Sequence, residues 1–113
     1  MSNYYFNNTY TGRLIYNDSG EFELHSEDNN NQIINITRIL DKAYSPQLKS
    51  QIHIKIMKGC RVLFDEDSIL YKKIDEDGLD SYYVCGNNLD LLMFNHTDEL
   101  LEITIDIKKG NGK

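Results

Sequence analysis

From Gln51 to Met57 the chain alternates with little interruption: Ile52, Ile54 and Ile56 fall on one side, and His53, Lys55 and, less cleanly, Met57 on the other. A period of two with one apolar side is the signature of a half-buried strand. Glu21 to His25 does the same, with Phe22 and Leu24 against Glu21, Glu23 and His25. Thr11 to Tyr16 and Gln32 to Asn35 read as two more strands. They flank the turn Asn17-Asp18-Ser19-Gly20 and the polar loop Ser26 to Asn31. The period then lengthens. Ile36, Ile39, Leu40 and Ala43 make one helical stripe, which predicts a helix over Thr37 to Tyr44 capped by Asn35 or Thr37. Pro46 requires that helix to have ended by Ser45. Lys58-Gly59 reads as a hairpin turn.

After that turn the pattern restarts. Gly12-Arg13-Leu14-Ile15-Tyr16-Asn17-Asp18-Ser19 resembles Cys60-Arg61-Val62-Leu63-Phe64-Asp65-Glu66-Asp67. Ile69 to Ile74 reads as a second strand, Asp75 to Asp80 as a turn around Gly78, and Ser81 to Cys85 as a third strand. Asn88-Leu89-Asp90-Leu91-Leu92-Met93 matches Asn35 to Leu40, and Glu102 to Ile107 matches Gln51 to Ile56. Residues 10–57 and 58–107 are therefore expected to be an internal repeat of a strand-strand-strand-helix-strand unit. Its register is anchored at Arg13 with Arg61, Asn35 with Asn88 and Ile52 with Ile103. One such unit buries too little apolar surface to stand alone. The expected product is a single α+β domain over 1–113, mostly β. It is a small barrel-like or two-layer antiparallel sheet with two short helices, pseudo-twofold in plan, with flexible ends at 1–9 and 108–113. In element order alone this resembles the cradle-loop barrels, with no family motif to carry a residue role across.

Charge narrows the partners. The 113 residues hold 18 Asp and Glu against 12 Lys and Arg, a formal net charge of −6. No basic run exceeds two residues, at Lys72-Lys73 and Lys108-Lys109. Direct nucleic-acid binding and attachment to an anionic membrane both need a basic face, so neither is expected. A basic protein partner suits the charge, and self-association as a homodimer through exposed sheet edges is a variant of that reading. Met1 to Tyr16 shows no apolar run behind a basic stretch, so no export signal is expected and a cytoplasmic setting is. The abundance of Asn, Ile, Lys and Tyr tracks AT-rich coding sequence, as in low-GC bacteria and their mobile elements.

Candidate chemistry is sparse. Asp75-Glu76-Asp77-Gly78-Leu79-Asp80 resembles part of a calcium loop. With Gly78 at loop position six, however, Lys73 and Val84 fall where carboxylates are needed. His25, His53 and His96 lack metal-ligand spacing, so no metal is expected. Cys60 and Cys85 are expected to pack as free thiols within strands. There is no Gly-x-Ser-x-Gly elbow and no Gly-rich phosphate loop, so neither catalytic residues nor a cofactor are expected. Tyr occurs 8 times. Tyr4 and Tyr5 crowd the amino-terminal arm, and Tyr82 and Tyr83 point to opposite faces of one strand. Tyr supplies large contact area at small entropic cost. Tyr4, Tyr5, Asp75, Asp77, Asp80 and Tyr82 are the expected partner-binding residues. The favoured reading is a noncatalytic acidic binding or regulatory protein, in one form an accessory or inhibitory protein of a phage or mobile element. The alternatives are a small-ligand binder or enzyme with a pocket between the repeats, and a nucleic-acid mimic.

Overall fold

A computed structural model of the chain describes residues 4–27, 32–44, 50–74 and 80–108, with side chains from Asn7 onward. The elements run β1 Tyr4–Tyr16, β2 Phe22–His25, β3 Ile33–Asn35, α1 Ile36–Ala43, β4 Gln51–Lys58, β5 Arg61–Ile74, β6 Asp80–Val84, β7 Asn87–Asn88, α2 Leu89–Phe94 and β8 Leu100–Lys108. Among the described residues the strands form one antiparallel order, β3-β2-β1-β8-β4-β5-β6-β7. The fold is an α+β domain dominated by antiparallel sheet, with two short helices.

The alternating Ile residues set the core. In the central pair, Ile52, Ile54 and Ile56 of β4 stand opposite Ile107, Ile105 and Ile103 of β8, and all six are buried. The helices close this layer. Ile36, Leu40 and Ala43 of α1 and Leu89 and Met93 of α2 bury against the same cluster. Helices of eight and six residues do not hold themselves together in water, so their apolar stripes keep them folded. Both begin on an asparagine. The Asn35 side chain accepts from the Arg38 amide at 2.9 Å and Asn88 from the Leu91 amide at 3.0 Å. No helix among the described residues is long and apolar enough to cross a membrane.

Three expectations change. The arm expected over 1–9 is strand from Tyr4 onward, paired with β8 as far as Tyr4 opposite Lys108. The second strand expected over Ile69 to Ile74 is not separate, and β5 is one strand of 14 residues. There Asp67 accepts from the Gln51 side-chain amide at 2.8 Å and Ser68 faces Ile52, so the polar residues sit within the ladder. Cys60 and Cys85 do not pack in strands; both are exposed at turns. Cys85 and Gly86 take φ of 53° and 78°, the two left-handed positions of a tight hairpin between β6 and β7. Pro46, Gly78 and the tail from Lys109 lie outside the described residues.

Both long strands change partners along their length. β1 pairs with β8 up to Arg13 and with β2 from Arg13 to Tyr16. Next to this change of partner at Arg13 lies Gly12, where a Cβ would stand 2.6 Å from the His25 carbonyl oxygen. β5 likewise pairs with β4 up to Ile69 and with β6 from Leu70. The sheet therefore has a central four-stranded part and two hairpin ends.

Candidate functional site

The two ends meet across a cleft of about 630 Å³. One wall comes from the end of β1, the start of β2 and α1, with Tyr16, Phe22, Asp41 and Tyr44. The other comes from the end of β5, the start of β6 and α2, with Lys72, Asp80, Asp90 and Phe94. Tyr82 lies at the junction, only 3% exposed, and its hydroxyl donates to Asp41 across the cleft. Ring contacts also cross it. Tyr44 meets Tyr82 edge to face at 6.0 Å, and Tyr16 meets Phe94 at 5.6 Å.

Local folding places the charges. Asp90 is the second residue of α2, and one oxygen accepts the Tyr82 backbone amide at 2.8 Å. At the corresponding place in α1, Thr37 does not cap the helix. Its hydroxyl accepts the Phe22 amide at 2.9 Å. Asp41 follows Leu40, just off the apolar stripe of α1. Asp80 opens β6 and holds the Lys72 ammonium at 3.2 Å, and Lys72 faces Tyr82 across the hairpin. Glu21 lines the cleft as well. A hydrogen bond from Asn35, with help from Asn17 and Arg38, holds its carboxyl below the usual range. The remaining charges are three carboxylates, Asp41, Asp80 and Asp90, around one ammonium, Lys72.

The cost of that arrangement shows in proton affinity. Burial pushes the Asp90 carboxyl up against the bond it accepts from Tyr82, and the charges of Asp41 and Asp80 push it further. Burial, the bond to Asp41 and the charges around it push the Tyr82 phenol well above its ordinary value. Tyr82 is therefore a neutral donor at any physiological pH.

A second polar cluster crosses the outer face of the central strands. His53 lies between Asp106 at 3.1 Å from Nδ1 and Asp65 at 2.6 Å from Nε2, and Asn7 donates to Asp106. Burial lowers the proton affinity of His53, and the two carboxylates outweigh it, so the ring is held above its usual value. His25 and His96 bond separately to Glu23 and Glu99, each at 2.9 Å. Among the described residues no three His, Cys, Asp or Glu side chains are arranged to hold a metal.

Of the residues expected to bind a partner, the structure brings Asp80 and Tyr82 together in the cleft. Asp75, Asp77 and the side chains of Tyr4 and Tyr5 lie outside the described residues. Sequence reasoning missed Asp41, Tyr44, Lys72 and Asp90. For Asp90 a signal existed, since the matched helix starts align it with the neutral Thr37. For Asp41 and Lys72 there was none, because Asp41 meets Tyr82 across the cleft and Lys72 meets Asp80 and Tyr82 through the pairing of β5 with β6, with Tyr44 added from the opposite wall. No protein-family model, no curated protein and no solved structure matches this chain.

Proposed function

We propose that this chain is a noncatalytic binding or regulatory protein that engages a basic protein partner at the cleft between its two ends. The observation that carries this reading is the convergence of Asp41, Asp80 and Asp90 with the rings of Tyr44 and Tyr82 around a single ammonium. A negative, aromatic-walled concavity attracts cations, steers their approach and gives stacking area. The cleft chemistry favours binding over turnover: its phenol is held protonated, and the described residues lining it include no His or Cys. A cytoplasmic accessory or inhibitory protein of a phage or mobile element is a concrete form of the reading.

The cleft also supports duplication as its origin. Exchanging β1–β4 for β5–β8 turns the strand order into its own reverse. Leu14 and Leu70 each donate to the carbonyl just ahead of a central strand, Glu99 before β8 and Ser50 before β4. Asn35 and Asn88 both cap helices, as the proposed register requires. The first block shifts, however. Leu14 faces Leu24 where Leu70 faces Val84, so Leu14 matches Leu70, whereas Arg13 lies near the end of β1 and Arg61 opens β5.

The test is affinity capture from the native host, followed by binding of the purified partner to wild-type protein and to the Asp41→Asn/Asp80→Asn double variant. The expected result is a basic partner whose binding weakens at least tenfold in the variant and falls with salt. A partner that binds both proteins equally overturns the reading. The same cleft volume keeps a small-ligand reading as second choice; turnover or tight binding of a metabolite with no protein partner would favour it. Mimicry of nucleic acid gains less support, because Asp65 and Asp106 on the outer face are both engaged by His53.

A further inference from the structure

We infer that the cleft is a cage for an organic cation, in which Lys72 occupies the place that a lysine or arginine side chain of the partner takes. This rests on the reading above and names the group recognised. The Lys72 ammonium lies 5.6 Å from the centre of the Tyr82 ring, 5.8 Å from that of Tyr44 and 3.2 Å from an Asp80 oxygen. Two ring faces and a carboxylate around one nitrogen form a cation–π site. The chain thus shows what its cleft holds, using its own side chain.

Lys72 does not fill the space. One ammonium stands among three carboxylates, and the cleft of about 630 Å³ extends past it toward Tyr16, Leu91 and Phe94. These three are 44%, 57% and 55% exposed, which is unusual for large apolar side chains grouped at one rim. The site therefore has a charged aromatic end and an apolar end. A bare metal ion uses neither ring faces nor an apolar rim, and hard cations need a shell of oxygens. The matching ligand is an ammonium or guanidinium joined to an apolar group. In a protein partner that is a basic residue beside a large apolar one on an extended segment, and guanidinium suits stacked rings best. Lys72 springs from a strand, on a flexible four-carbon stem, so it can swing to solvent as the guest cation enters. The same hairpin sets Lys73 over Tyr83 at 4.7 Å, away from the cleft residues, which supplies an internal control.

The experiment titrates the intact protein with two probes, a capped Leu-Arg-Leu peptide and free hexylammonium, against sodium chloride at equal ionic strength. Calorimetry gives affinity, and NMR follows the resonances of Tyr44, Tyr82 and Phe94. Removing the resident cation in Lys72→Met is expected to tighten peptide binding about three- to tenfold, and Asp80→Asn to weaken it by a similar factor. Lys73→Met is expected to change nothing. Thermal unfolding of each variant shows that it is folded. Unchanged or weaker binding in Lys72→Met, or shifts mapping away from the cleft, overturns the cage. Hexylammonium binding that Lys72→Met tightens, with no peptide binding, leaves the cage standing and removes the protein-partner reading. A partner whose binding weakens in Asp41→Asn/Asp80→Asn but is unchanged in Lys72→Met, with neither probe sensitive to Lys72, removes the cage and leaves the cleft reading standing.

Discussion

The two helix–strand corners do one backbone job with different chemistry. At the first, the Thr37 hydroxyl accepts the Phe22 amide, and Phe22 is a fully buried hydrocarbon ring. At the second, the Asp90 carboxylate accepts the Tyr82 amide, and the Tyr82 phenol reaches across to Asp41. Thr37 shows that a neutral hydroxyl suffices to hold such a corner. Asp90 therefore carries a charge the fold does not require, placed where burial and two neighbouring carboxylates make it costly. The first corner is packing; the second holds a charge that packing does not call for. That division is the physical reason for proposing a binding role at the cleft the second corner lines.

Phe22→Ala breaks the packing corner and is expected to cost about 3–5 kcal/mol in denaturant unfolding. Tyr82→Phe keeps the ring and removes one hydroxyl, so about 1 kcal/mol is expected. Equal losses would sink the contrast. Gly12→Ala comes next, because its methyl would meet the His25 carbonyl, and about 2 kcal/mol of lost stability is expected, since backbone cannot yield as a side chain can.

The pair Thr37→Val and Asp90→Asn sharpens the comparison. Thr37→Val leaves the Phe22 amide without its acceptor and should cost about 1–2 kcal/mol. Asp90→Asn keeps an acceptor oxygen and removes the charge. Because the folded state raises the Asp90 pKa, stability is fullest below the ordinary carboxyl value of 3.8 and falls as pH rises through the folded value. Asp90→Asn should remove that fall, leaving Tm at pH 7 equal to or above wild type. A marked drop in Tm would show that the charge serves the fold after all.

The smallest effect belongs to neither corner. His53 is held protonated above its ordinary 6.5 by Asp65 and Asp106. Its contribution is complete below 6.5 and is lost as pH rises through the higher folded value. His53→Gln should flatten the stability profile in that window, and a proton NMR titration of His53 with a midpoint below 6.5 would refute the assignment. This cluster spans β1, β8, β4 and β5, so it should act alike on both corners.

Much of the local structure was legible in the residues. Ile52, Ile54 and Ile56 announce a half-buried strand because side chains alternate across a pleat whatever its neighbours are. Asn35 and Asn88 mark helix starts because a short side chain can satisfy the first free amides, and Asn17 with Gly20 marks a turn for equally local reasons. The limits of β1 and β5 were not legible. Tyr4 to Tyr10 holds strand form by pairing with β8, a segment at the far end of the chain, and Ser68 sits within a ladder that its own turn-forming preference argues against.

Periodicity, caps and turns act over three to five residues, so the sequence by itself determined the two helices, the alternating strands at β2, β4 and β8, the Ile core and the choice of mostly antiparallel sheet. The cleft was decided only when the two hairpin ends closed toward each other. Asp41, Lys72, Asp80 and Asp90 are ordinary polar residues in the chain. They become a site because strand pairing brings two distant helices face to face, with Lys72 and Asp90 half-buried and Asp41 and Asp80 exposed along its walls.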